Sequence, residues 1–443
     1  DLVRSRGLGD VYKRQHLVFN EKNKVNKGIE GLRQEAIEIF NQKGFPTRKD
    51  EEWKYTNLAP LLKVDYKLFP EDEVAVEYKD IKKYLINDID TYTIVFINGK
   101  YSSFLSNTTH DEADICVLSS AMHKTTHQAV IENYYGKIAK KDESLVSLNT
   151  AFAKDGAYIY VPNNVILSKP IQIVYFSTGA SQEAMYQPRN LVVVGDNAQV
   201  QIIERHQTLD EKANLTNVVS EVNVGRNSEI HWYKFQNDSN DASLVDNTYI
   251  NQERDSRANV FTFAFGGKIV RNNLNFFQNG ENCNSVMDGI TVIDGKQHID
   301  HHTFVEHNFP NCESHELYKG IYDEKAQGVF NGKIYVHKEA QKLNAFQQNN
   351  NVLLSDGASI NTKPQLEIFA DDVKCSHGCT VGQLEEESLF YMQQRGIPKK
   401  EAKAMLLYAF AADALRHVQI PQISNRVNSI IAKKLGVSLD FEL

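Results

Sequence analysis

The stretch GDNAQVQIIERH (195–206) is answered about thirty residues later by GRNSEIHWYKF (225–235), and again by RDSRANVFTFAF (254–265). Each begins at a turn-forming break, passes a small residue and then alternates apolar with polar side chains, the period of a strand entered from a turn. Related breaks recur as GENCN at Gly280, DEKAQ at Asp323, HKEAQ at His337 and SDGAS at Asp356, at shorter and less regular intervals. Loose repetition of a short unit predicts a solenoid. Its coils pair with their neighbours, inward side chains stack in rows, and Asn and Gly take corners that need left-handed backbone angles. A β-sandwich or a β-propeller is the competing architecture, although propeller blades should repeat more constantly, with four strands each.

The strand-like texture runs from about Tyr158 to Leu384, and the regions on either side differ from it. Towards the N-terminus, Ile29, Leu32, Ala36, Ile37 and Phe40 recur at helical spacing, with Gly44 and Pro46 as a stop, which predicts an amphipathic helix over 27–43. The segment TYTIVFINGKYSSFL that follows predicts two strands around Asn98-Gly99. Beyond Gly382, Leu384, Ser388, Leu389 and Met392 form a stripe that Gly396-Ile397-Pro398 breaks. A second helix is expected over 401–418 and a third after Pro421. The expected organisation is therefore a leader over 1–15, an N-terminal α/β region over 16–150, a β-solenoid over 151–382 and a helical C-terminal region over 383–443. The leader, DLVRSRGLGDVYKRQ, continues no downstream pattern and reads as non-native, since Asp1 and Asp10 do not suit an organellar transit peptide.

Composition narrows the function. With 443 residues, 49 basic and 57 acidic side chains and a net charge of −8, the chain is long enough for a sizeable core. It lacks the basic stripe that neutralises nucleic-acid phosphates. No apolar run approaches the ~20 residues of a membrane helix. Five cysteines scattered over the chain, without a secretory apolar segment, fit a reducing compartment, so a cytoplasmic protein is expected. There is no phosphate-binding G-x-x-x-x-G-K-[ST], because Gly266-Gly267-Lys268 lacks the flanking residues. Neither a G-x-S-x-G elbow nor G-x-G-x-x-G occurs. Any ATP dependence must come from another chain.

Two clusters could carry chemistry. In Cys375-Ser376-His377-Gly378-Cys379 the alternation of a strand points both thiols and the imidazole to one face, a donor set suited to iron, zinc or an iron–sulfur cluster. At ~3.3 Å per residue the cysteines would stand roughly 13 Å apart, too far to share one ion. A local site needs a bend at Gly378 or ligands from a partner. The bland reading makes Cys375 and Cys379 small packing residues and His377 a turn cap. The second cluster, QHIDHHTFVEHNFPNCESHE (297–316), is split by the same alternation. His298, Asp300 and His302 fall on one face and His301 on the other, which favours polar stacking between coils over a metal centre; no H-E-x-x-H is present. The stripe of Phe390, Met405, Tyr408 and Phe410 is either core or a docking face.

Several longer segments carry a resemblance: RKDEEWKYT (48–56), FINGKYSSFLS (96–106), KPQLEIFADDVKCSHGCTVG (363–382), LFYMQQRGIPKKEA (389–402) and YAFAADAL (408–415). Together they resemble the SufB/SufD family of the SUF iron–sulfur cluster assembly system. The SufD side is favoured because CSHG follows ADDVK and the chain is short for SufB. The resemblance implies a mainly β fold, a right-handed parallel β-helix flanked by a mixed N-terminal and a helical C-terminal region, in agreement with the solenoid reading. It implies a non-enzymatic scaffold that pairs with SufB through the β-helices and receives the ATPase SufC on the C-terminal helices, with Tyr408 and Phe410 as candidate partner-binding residues. The cofactor it implies is iron or a transient iron–sulfur cluster at the SufB interface, with no nucleotide on this chain. In that family the CSHG histidine, here His377, acts with a SufB cysteine. Cys375 is the adjacent thiol, and Cys379 departs from a position often held by a small non-ligating residue. A homodimer in isolation is compatible with the resemblance. The rival readings are a stand-alone β-helix enzyme acting on carbohydrate and a purely structural subunit without a cluster ligand.

Overall fold

The computed structural model describes Tyr12 and residues 14–68, 74–108, 112–178 and 183–436. Of the leader expected over 1–15, Tyr12 packs edge-on against Phe40, Phe45 and Phe152, while residues 1–11 and 13 lie outside the described residues.

The chain winds into a parallel β-solenoid of about eight turns, built from two sheets that receive strands alternately. The first sheet runs through Gln199–Thr208, Glu229–Gln236, Arg257–Ala264, Asn284–Ile293, Glu313–Tyr322 and Leu343–Leu353 to its last strand, Val373–Gly382. The second runs through Asn214–Val224, Ala242–Gln252, Ile269–Gln278, His298–His307 and Gln327–Val336 to Ser359–Ile368. Sheet neighbours are parallel and every other strand in sequence, which neither the sandwich nor the propeller provides.

The corners explain the sequence breaks. Asn164, Asn197, Asn227, Asp255, Asn282 and Asn311 all have φ between 52° and 64°, the left-handed region that Asn and Asp tolerate best. Their side chains form a ladder up the solenoid: Asn197 Nδ2 donates to Asn164 Oδ1 at 3.0 Å, and Asn227 Nδ2 to Asn197 Oδ1 at 2.9 Å. Inside, one side chain per coil stacks in register, as in Ile202, Trp232, Val260 and Met287, each wholly buried.

Both outer faces are covered. On the first sheet, Tyr233, Phe235, Phe261 and Phe263 pack against Leu407, Ala411, Ile423, Val427 and Ile431 of the C-terminal helices. The second helix there spans Lys399–Ala412 and begins directly after Pro398 as expected. A 3-10 turn over Asp413–Leu415 follows it, so it stops short of Val418, and Pro421–Leu435 makes the third helix. On the second sheet sits the RKDEEWKYT segment, whose buried Trp53 receives the Arg271 guanidinium at 4.1 Å from its ring. The helix Lys27–Lys43 matches the expected span, and the Asn98-Gly99 hairpin joins Tyr92–Ile97 to Lys100–Tyr101 with φ of 49° and 73°. Tyr92–Ile97 also pairs in parallel with Ile171–Ser177, so the N-terminal region contributes a strand to the solenoid's first sheet.

Candidate functional site

Cys375, His377 and Cys379 lie on the last strand of the first sheet, paired to Ala345, Gln347 and Asn349. Followed back through the register, their rows are the inward rows of the solenoid. Cys375 continues Ile230, Ala258, Ser285, Ser314 and Ala345; His377 continues Trp232, Val260, Met287, Glu316 and Gln347. Inside the solenoid these positions are buried. At its end the sheet stops, and His377 and Cys379 are exposed and Cys375 half-buried. The three side chains therefore occupy lumen positions that no further coil among the described residues covers.

The expected shared face is present. The bend at Gly378 is not, because Gly378 keeps register with Gln348 and the strand runs on to Gly382. Among the described residues no three His, Cys, Asp or Glu side chains converge as a metal site. Thiols and an imidazole in an extended row can each offer one ligand to a metal, and the remaining ligands have to come from outside the chain. Cys375 packs at the margin of a small apolar cluster with Val336, Leu343 and Ala345, and burial raises its thiol pKa.

The lumen changes character as it nears this end. The row through His377 is apolar up to Met287 and then turns polar with Glu316 and Gln347, both almost fully buried. Gln347 Nε2 donates to Glu316 Oε2 at 2.7 Å, the Thr303 hydroxyl also faces this carboxyl, and Gln347 Oε1 has no hydrogen-bond partner. Burial pushes the Glu316 carboxyl up to about 7. Glu316 closes the 297–316 cluster, whereas nothing in the sequence marks Gln347; stacking the repeats in register places both beneath His377.

The histidine-rich cluster divides as the alternation predicts. His298 and Asp300 face the N-terminal segment, where Thr56 Oγ1 lies 2.8 Å from His298 Nε2 and also bonds Asp300, while Arg271 Nη1 reaches Asp300 Oδ2 at 2.8 Å. Burial opposes the charge on Asp300, but Arg271 and His302 outweigh it and hold the carboxyl well below the usual range. His301 points into the lumen, 2.9 Å from Thr291 Oγ1, and burial lowers its pKa to about 4, so it is neutral at pH 7. These groups hold the N-terminal segment and the coils together. Of the remaining cysteines, Cys283 and Cys312 are buried beneath a corner, both donating to the Gly280 carbonyl, at 3.2 and 3.3 Å.

Tyr408 and Phe410 are half-buried at the margin of the core under the C-terminal helices, and Lys319 Nζ stands 4.7 Å from the Phe410 ring. The exposed aromatic pair of this region is Phe390 and Tyr391, at 62% and 60%, on the helix Glu386–Gln394. Among the described residues no helix is long and apolar enough to cross a membrane.

Two family models match the chain. One, described as the SUF system FeS cluster assembly SufBD core domain, covers residues 176–410, and the other, the SufBD protein N-terminal region, covers residues 5–173. The chain belongs to the SufB/SufD family. An iron–sulfur cluster assembly SufBD family protein of Synechocystis is 33% identical over 409 residues, which is 90% of each chain. The iron–sulfur cluster assembly protein SufD of Escherichia coli is 28% identical over 404 residues, 91% of this chain and 92% of its own. SufD of Bacillus subtilis is 27% identical over 432 residues, 94% and 96% of the two chains. Membership of the SufB/SufD family supports a role in SUF iron–sulfur cluster assembly. The SufBD core match ends at Phe410 and so takes in the CSHGC strand, the helix Glu386–Gln394 and all but the last two residues of the helix Lys399–Ala412.

Proposed function

We propose that this chain is a scaffold subunit, not itself an enzyme, that pairs end to end with a SufB-type subunit and presents His377 to iron or a nascent iron–sulfur cluster held between them. The observation that carries the reading is the uncovered end of the solenoid. A ten-residue strand, Val373–Gly382, forms the edge of its sheet with exposed side chains along most of its length. A long open edge is a template for another strand, and proteins that leave one uncovered aggregate or pair. The exposed Phe346, Ile368, Phe369 and Val381 lie on or beside the last strands of both sheets. A partner seated there would enclose the Cys375, His377 and Cys379 row and supply the ligands the row cannot gather alone.

Iron and sulfide are the cargo in this reading. Imidazole and thiolate suit them as donors, and His377, exposed and central in the row, is the principal ligand. Cys375 is less accessible, and Cys379 is a further thiol one alternation beyond His377. ATP hydrolysis is assigned to a SufC-type ATPase docked on the C-terminal helices. The setting is soluble and cytoplasmic.

The test is co-expression with SufB-type and SufC-type partners, anaerobic purification, and iron and sulfide analysis of the wild-type complex beside His377→Ala. An intact complex with clearly lower iron and sulfide supports the ligand. Equal iron and sulfide in both makes the subunit structural only. Failure to capture a SufB-type partner sinks the pairing itself.

A further inference from the structure

Gln347 has a buried side chain whose two ends are treated differently. Its Nε2 donates to Glu316 Oε2 at 2.7 Å, on the coil before, and this fixes the amide so that its carbonyl is the end left over. That oxygen is buried and has no partner. The next side chain in the row is His377, in register on the terminal strand.

The seat of the amide is shaped from the opposite sheet. Gly332, on the facing strand Gln327–Val336, leaves the space the amide fills, since a Cβ there would lie 2.1 Å from Nε2 and 2.6 Å from Cδ of Gln347. A buried carboxyl with no cation beside it is costly to keep in a row that is apolar one coil earlier, at Met287. Here it accepts the Gln347 amide N–H, and that bond orients the amide. Three residues on three strands therefore act on one oxygen atom.

We infer that Gln347, anchored by Glu316 and accommodated by Gly332, is a positioning residue for His377: when the exposed imidazole turns inward, the unpartnered Oε1 accepts one ring N–H, fixing the tautomer and leaving the other nitrogen's lone pair for a metal. The inference rests on the proposed ligand role of His377. A ligating histidine generally donates its second ring N–H to an oxygen acceptor, and loss of that acceptor weakens metal binding by about 10- to 100-fold. No bond is made or broken and no redox partner is needed.

The test uses the full-length chain labelled with [15N]histidine, with the His377 signals assigned by their loss in His377→Ala. Above the titration range, the ring nitrogen shifts report the tautomer ratio without any metal. The wild type is expected to hold one tautomer in clear excess. In Gln347→Leu, and in Gly332→Ala, where the amide is pushed aside but kept, the ratio should move towards that of a free imidazole. An unchanged ratio in a folded Gln347→Leu chain, judged by circular dichroism, overturns the inference, and Gly332→Ala decides the matter if that chain does not fold.

Iron loading of the partner complex separates this inference from the reading it rests on. If the tautomer shifts in Gln347→Leu but His377→Ala keeps its iron, the positioning stands and the ligand role falls. If His377→Ala loses iron but the tautomer ratio is indifferent to Gln347, the ligand role stands and the positioning falls. When both hold, Gln347→Leu should bind iron more weakly than wild type in the complex, by the factor given above.

Discussion

Arg189 donates from Nε and Nη2 to one oxygen of Glu221, at 3.2 and 2.5 Å, and both side chains are wholly buried. Glu221 also accepts the backbone N–H groups of Gly136, Ile138 and Ala139, at 2.8, 3.0 and 2.9 Å, so the pair ties the loop after the helix Gln128–Tyr134 to the second sheet. Removing one member of a buried pair leaves the other charge uncompensated, at a cost of about 3 to 5 kcal/mol. Arg189→Met should fall in that range. Glu221→Leu should cost more, since three backbone donors and a guanidinium all lose their acceptor. Urea unfolding followed by circular dichroism gives the order of the two variants. Equal midpoints would show that the three backbone bonds contribute little.

Glu316 gives a pH signature. Burial raises its folded-state pKa to about 7, above the ordinary value of 4.5 that the unfolded chain keeps. Between these values the folded chain keeps a proton that the unfolded chain releases. The stabilising contribution is therefore complete below about pH 4.5 and is lost as pH rises through about 7, by about 3 kcal/mol in all. Glu316→Gln removes this slope while keeping an acceptor for Gln347. The difference in unfolding free energy between wild type and Glu316→Gln should grow in favour of the variant from pH 5 to pH 8. A difference that stays flat across that range contradicts a raised carboxyl.

Much of the fold is legible in the chain because solenoid corners repeat one physical requirement. Asn197, Asn227 and Asp255 announce themselves as turn residues, and they occupy the left-handed corners. The face shared by Cys375, His377 and Cys379 follows from strand alternation alone, as does the split of His298 from His301. Other features depend on which coil lies above which. Glu316 and Gln347 are thirty-one residues apart and look unrelated until register stacks them. The role of Trp53 depends on Arg271, more than two hundred residues away. Periodicity places Tyr408 and Phe410 on a helix, but it cannot say that the solenoid half-covers them and leaves Phe390 and Tyr391 exposed.

Val381 tests the edge. It is 47% exposed on the terminal strand, and a charge there adds little to the free chain but has to be desolvated by any strand that pairs with the edge. Val381→Lys should lower co-purification with a SufB-type partner at least about 10-fold, since burying an unpaired charge at an interface costs more than the 1.4 kcal/mol that a factor of ten represents. The melting temperature of the free chain should change little. Undiminished capture of the partner would place the interface elsewhere.

The C-terminal helices allow docking to be separated from packing. Phe390 and Tyr391 stand out from the helix Glu386–Gln394 and cover no core, so a double Phe390→Ala, Tyr391→Ala chain should fold with an unchanged melting temperature. Adjacent exposed aromatics are characteristic of interface anchors, which typically cost 2 kcal/mol or more each when truncated, or about 30-fold in affinity. Phe410 is the opposite case. Its ring is half-buried against the core beneath Lys319, which also pairs with Asp413 at 2.9 Å. Phe410→Ala should therefore destabilise the chain by about 2 kcal/mol through lost burial and cation–π contact, and should weaken ATPase binding only as far as the helix itself loosens. Calorimetry on the free chain and binding of a SufC-type ATPase, measured on both variants, give a crossed pattern: binding lost with stability kept in one, stability lost with binding largely kept in the other. If Phe410→Ala instead abolishes binding at full stability, the docking face includes the ring that the solenoid half-covers, and the helix must turn outward when the ATPase arrives.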